Sequence, residues 1–126
     1  MTALSLGVIA PPTNTVNQLE WGTLLPAGVS MQFTRMGLHA DTDTPAGRQA
    51  LHDDLASAMT QLRNEGADVM VYACTAGSMT LPHHDLPDWM AKASGVPAVT
   101  TAAAIVDALR FLKVKRVAVA TPITMP

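Results

Sequence analysis

The stretch Asp68–Ser78, DVMVYACTAGS, carries an apolar run to the chain's single cysteine, Cys74, and follows it with small, hydroxyl-bearing and glycine residues. A thiol placed where a buried strand gives way to such a loop can act as a nucleophile. Backbone N–H groups of Thr75, Ala76 and the residues after them, opening a helix, would favour the reactive thiolate. The same donors, with the Ser78 hydroxyl, would hold a substrate carboxylate. The competing reading is a small buried hydrophobe, which is how most unpaired cysteines behave. Two thiol chemistries drop out. There is no C-x-x-C pair for thioredoxin-type redox work, and Thr80, not arginine, stands six residues after Cys74, so the phosphate loop of cysteine phosphatases is missing. A Cys–His hydrolase is compatible with the spacing but finds little support in the element pattern described below.

A second polar cluster is Pro11–Thr15, PPTNT. Asn14 can cap a helix or aim its amide at a carboxylate, and one residue can do both. Thr13 and Thr15 add hydroxyl donors. The His83-His84-Asp85 run invites a metal, but adjacent histidines on a loop diverge, and His39 and His52 stand at no ligand spacing from them. No metal and no cofactor are expected. Met59, Met70 and Met79 fall at core-type positions, and neither a Walker loop nor G-x-G-x-x-G is present to bind a nucleotide.

The elements that must position these residues alternate. Leu4–Ala10 reads as a first strand, followed by a helix capped by Asn14 or Thr15. Val29–Leu38 reads as a second, less buried strand. Gly47–Glu65 has Leu51, Leu55, Ala58, Met59 and Leu62 at helical spacing and stops at Gly66. Asp68–Cys74 is apolar almost throughout, as suits a central parallel strand covered on both faces. A short helix opening at Asp85 or Asp88 stops near Gly95, Pro97–Thr101 is a fourth strand, and Ala102–Lys113 is a helix with Ile105, Val106, Leu109 and Leu112 on one side. Arg116–Thr121 is a fifth strand-like run. This order predicts a three-layer α/β fold with a four-stranded parallel sheet and right-handed crossovers. Ligands in such sheets sit outside the carboxyl ends of the strands where strand order reverses. With the order 2-1-3-4, that crevice lies between strands one and three, where PPTNT meets CTAGS.

At 126 residues the chain suits one domain, with 48% hydrophobic and 14% charged residues. A net charge of −2 with no long Lys/Arg cluster argues against nucleic acid. No run reaches the roughly 18 apolar residues of a membrane span, and the start lacks the basic segment of a signal peptide, so no membrane is expected. A lone cysteine forms no internal disulfide, which fits a reducing, cytoplasmic setting. The end, VAVATPITMP, repeats the strand, proline and threonine of LGVIAPPTNTV near the start. Residues 1–114 are thus expected to form a first α/β lobe, and 115–126 the first strand of a second.

GVIAPPTNTVNQLEW, YACTAGS and RVAVATPIT, in this order and spacing, resemble the maleate isomerase and arylmalonate decarboxylase branch of the aspartate/glutamate racemase superfamily. The resemblance runs along the whole chain and covers about half of a typical member. It implies two similar α/β lobes with the active site between them and no metal or organic cofactor. Cys74 matches the first-lobe catalytic cysteine, the nucleophile of maleate isomerases. Asn14 matches a carboxylate-binding asparagine, and Thr75 and Ala76 match carboxylate-binding positions, Ala76 standing where serine is common. Decarboxylases usually lack a cysteine at this position, so Cys74 points toward an isomerase or racemase. The second-lobe cysteine would fall beyond Pro126, and Ile123 stands where the family places a tyrosine. The implied substrate is a small dicarboxylate such as maleate. Because a single lobe exposes the face that would meet the second, a homo-oligomer with a Cys74 on each side of a two-lobed cleft is expected.

Overall fold

The computed structural model describes residues 3–82 and 84–120. Four parallel strands pair in the order β2-β1-β3-β4: β1 (Leu4–Ala10), β2 (Val29–Arg35), β3 (Val69–Tyr72) and β4 (Ala98–Thr100). Strand β1 is central, with Val8 opposite Phe33 on one side and Val71 on the other. The helices are α1 (Asn17–Leu24), α2 (Pro45–Asn64), the single turn α3 (Thr75–Ser78), α4 (Asp85–Ser94) and α5 (Thr101–Phe111). The three-layer α/β fold with strand order 2-1-3-4 is therefore the one expected. No helix among the described residues is long and apolar enough to cross a membrane.

The main core lies between the sheet and the α2–α4 layer. Leu51, Leu55, Ala58, Met59 and Leu62 of α2 are all buried, and they meet Ile9 and Met70 of the sheet and Leu86 and Met90 of α4. Contact between α2 and β1 is close because Gly7 has no side chain: a Cβ there would lie 2.8 Å from that of Ala67 and 3.2 Å from that of Leu62. Helix α2 begins two residues earlier than expected. Thr44 accepts the Gly47 N–H at 3.0 Å and Pro45 occupies the first turn, a combination that tolerates proline's missing donor. Helix α4 ends at Gly95 in the left-handed conformation (φ 74°), as the sequence suggested.

Four expectations need correction. Strand β2 ends at Arg35 rather than Leu38, because Gly37 N–H leaves the sheet to donate to Asp54 on α2 at 2.9 Å. Met79 is exposed, since it follows α3 on the surface instead of entering the core. The anticipated apolar side of α5 is only partly used: Ala103 is buried, whereas Ile105 and Leu112 face solvent. Residues 116–120 of the proposed fifth strand pair with no other strand, and Val117 and Val119 are exposed. Thr121 and Ile123 lie outside the described residues, as does His83.

His52 on α2 packs its ring against Trp89 of α4, centroids 5.3 Å apart, with Nε2 3.4 Å from Thr80 Oγ1. Burial lowers its pKa below 6.5; Asp53 opposes this shift and Arg48 adds to it. The unfolded chain therefore binds more protons than the folded one between the depressed folded value and 6.5. His52 thus contributes stability that is present above pH 6.5 and lost as the pH falls through the folded value. A His52→Gln chain should show a shallower loss of urea stability on the acid side of pH 6.5 than the native chain.

Candidate active site

Three loops leave the carboxyl ends of neighbouring strands and meet in one cleft of about 280 Å³. Pro11–Thr13 follow β1, Met36–His39 and Thr42 follow β2, and Cys74, Ala76 and Gly77 follow β3, with Tyr72 and Leu51 completing the lining. The volume is at the small end of ligand pockets, which start near roughly 300 Å³. Among the described residues, the lining holds no Asp, Glu, Lys or Arg, and His39 is its imidazole.

Cys74 is half-buried and packs against the main core while lining the cleft, so it is both a packed and an accessible thiol. It caps α3: its backbone is extended (φ −140°, ψ 114°) and its Sγ accepts the Gly77 N–H at 3.3 Å. The amides of Thr75 and Ala76 open the turn, where no preceding carbonyl of the helix is in reach to accept from them, so they are suited to an anionic ligand.

Tyr72 is the neighbour that the sequence reading passed over. Its ring is buried and its hydroxyl lies over Gly77, where an added Cβ would overlap it. Burial, followed by the charge and hydrogen bonding of the Cys74 side chain and the charge of Asp54, pushes its pKa well above the ordinary tyrosine value. The hydroxyl therefore stays protonated across the useful pH range and remains a donor beside the sulfur. Gly77→Ala should force Tyr72 and α3 apart, with a loss of about 1–3 kcal/mol by analogy with other overpacked interiors. Urea denaturation reads this loss, and adding Tyr72→Phe should recover part of it because the overlapping oxygen is gone.

The expected site residues divide. Thr13, Cys74 and Ala76 line the cleft together. Asn14 is adjacent but outside its lining, and its Oδ1 accepts the N–H groups of Val16 and Asn17 at 3.1 and 3.0 Å. The capping reading of Asn14 thus describes its oxygen, although Val16 is the cap position and α1 starts at Asn17. Thr75 is exposed beside the cleft. Ser78 is fully buried, donating to Thr75 O at 2.9 Å and accepting the Ala102 N–H at 3.0 Å, so its hydroxyl ties α3 to α5. His39 was also passed over. Its Nε2 lies 2.9 Å from Asp54 Oδ2. Its position on the loop after a parallel strand, at the carboxyl end, was the available signal.

This chain is 29% identical to the maleate isomerase of Nocardia farcinica over 96% of its own length and 52% of that protein's. It is also 29% identical to the arylmalonate decarboxylase of Bordetella bronchiseptica, over 93% of this chain and 49% of that one. The chain therefore spans about half the length of the curated relatives it matches. Among solved structures, the Nocardia farcinica maleate cis-trans isomerase bound to TRIS superimposes with a TM-score of 0.70 at 25% identity, over 87% of this chain and 49% of that one. The family model for arylmalonate decarboxylase matches residues 6–125, nearly the whole chain. With its parallel sheet and its cysteine at the mouth of the central crevice, this chain belongs to the arylmalonate decarboxylase family.

Proposed function

We propose that the Cys74 cleft is the first-lobe half of a cofactor-independent isomerase site that acts on a cis-dicarboxylate, converting maleate to fumarate. The observation that carries this reading is the accessible Cys74 sulfur, capped by the Gly77 N–H and flanked by the Tyr72 hydroxyl and the opening amides of α3. Cys74 loses its proton to solvent, and the thiolate adds to one alkene carbon of maleate. The π pair moves onto the adjacent carbon and into its carboxylate, leaving a central single bond that rotates. Return of the pair reforms the double bond in the trans arrangement and expels the thiolate. The amides of Thr75 and Ala76 hold the carboxylate on which charge develops, and Thr13 adds a hydroxyl to the same cleft. Support also comes from the Nocardia farcinica maleate cis-trans isomerase, a protein of this fold described with a covalently bound succinylcysteine intermediate in a cysteine-to-serine mutant.

In this reading residues 1–114 are the first lobe, 115–126 begin a second, and a second lobe or a second copy of the chain closes the cleft. Light scattering that finds only monomer at high concentration would remove the second copy. The site itself is tested by alkylating Cys74 with iodoacetamide near neutral pH, with and without maleate, beside proton NMR of the maleate. Rapid alkylation slowed by maleate, together with fumarate formation, is expected. An inert thiol, or a rate that maleate leaves unchanged, would overturn the proposal.

A further inference from the structure

We propose that His39, held by Asp54, receives the second carboxylate of a dicarboxylate whose first carboxylate sits beside Cys74. This inference rests on the isomerase reading and extends it by assigning the other end of the ligand. A carboxylate only accepts hydrogen bonds, so at 2.9 Å from Asp54 Oδ2 the His39 Nε2 carries a proton, and Nδ1 is the nitrogen left for a ligand. The same Asp54 oxygen accepts the Gly37 N–H at 2.9 Å, which fixes the carboxylate and, through it, the ring.

Position supports the assignment. In the strand order β2-β1-β3-β4, the loops after β2 and β3 flank the loop after β1, so His39 and Cys74 approach one cleft from either side of Pro11–Thr13. The cleft lining contains no lysine or arginine. Among the described residues of the lining, His39 is therefore the side chain able to present a positive charge to an anion, and it is sheltered, 19% exposed. Donating from both ring nitrogens, the imidazole would bridge Asp54 and the incoming carboxylate. The lining also includes the buried apolar side chains of Met36 and Leu51, which suit the hydrocarbon centre of a short diacid.

The test compares maleate with isocrotonate, the cis mono-acid in which a methyl group replaces one carboxylate. Affinity is read from protection of Cys74 against alkylation. The native chain is expected to prefer maleate by about tenfold or more, the range of one charge-assisted hydrogen bond. His39→Gln should abolish that preference while leaving isocrotonate protection unchanged, and His39→Lys should restore part of it. In the native chain, maleate but not isocrotonate should shift the imidazole nitrogen resonance of His39, a readout that holds even if a variant folds poorly. Equal weakening of both ligands in His39→Gln would mean a structural role and overturn the inference, as would an unchanged preference or an unmoved resonance. If maleate protects the native chain but the preference survives in His39→Gln, only this inference falls. If maleate gives no protection in the native chain, the isomerase reading falls with it.

Discussion

On the proposed isomerase reading, replacing Cys74 with serine is expected to reduce maleate-to-fumarate turnover by at least about 10³-fold, the scale on which removal of a nucleophile is felt. Serine nearly preserves the volume and can still accept the Gly77 N–H that the sulfur accepts at 3.3 Å, so the cap and the fold should survive. What it loses is the thiolate: a hydroxyl holds its proton at neutral pH, and no general base stands within hydrogen-bonding distance of Cys74 Sγ among the described residues. Intact-mass spectrometry offers a second readout that needs no turnover. When a proton reaches the carbon next to the attacked one before the thiolate leaves, maleic acid has added across the S–H bond as a succinyl thioether. One such addition per native chain, and none on Cys74→Ser, is the expected pair of spectra. Equal turnover in both chains would show that the sulfur is only packing material.

The largest stability effect is expected at Leu62. Its side chain is fully buried on α2, and a Cβ added to Gly7 of β1 would lie only 3.2 Å from it, so it fills the space that the glycine leaves open between helix and sheet. Leu62→Ala removes that filling where Gly7 has no side chain to move into the gap. Loss of the transferred methyl groups plus the residual cavity costs about 2–5 kcal/mol. Domains of this kind are stable by only about 5–15 kcal/mol, so the urea midpoint should fall sharply with little change in slope. Two neighbours should turn the deficit into local damage. Ala67 N donates to Leu62 O at 2.9 Å, and Arg63 donates to the Ala67 carbonyl, so the α2 exit into β3 depends on the seating of this turn. A midpoint within experimental error of the native one would contradict the packing described here.

Much of this architecture was legible in the chain. The apolar positions of α2 recur at helical spacing, and all five named in advance are buried. β3 is short and apolar, with Met70 and Tyr72 buried and Val69 and Val71 half-buried, so Val69–Tyr72 could be recognised without polar alternation. The glycine stop of α4 and the crevice between β1 and β3 follow from equally local or topological rules. α5 was misjudged because helical periodicity reports an apolar stripe without saying whether anything covers it. Ile105 belongs to the stripe and is exposed. Residues 116–120 are β-prone, but a strand also needs a free neighbouring edge in register, and that is a property of the sheet.

The candidate site divides along the same line. Cys74 and the turn after it were evident because a single thiol at a strand exit, followed by small residues, is a local pattern. Tyr72, His39 and Asp54 were not, since their meaning arises from contacts across the chain: a hydroxyl over Gly77, and a carboxylate on α2 reaching 15 residues back to a histidine. The roles of the polar residues were also decided in three dimensions. Asn14 turns its oxygen to the start of α1, and Ser78 is buried between α3 and α5 with its hydroxyl bonded to the backbone of both. The sequence by itself determined the class of fold, the order of its elements and the placement of the thiol, since these follow from local periodicity and chain topology. Only the tertiary structure decided which side chains share the cleft with that thiol and which are spent on holding the loops, because hydrogen-bond partners distant in sequence become known only once the chain has folded.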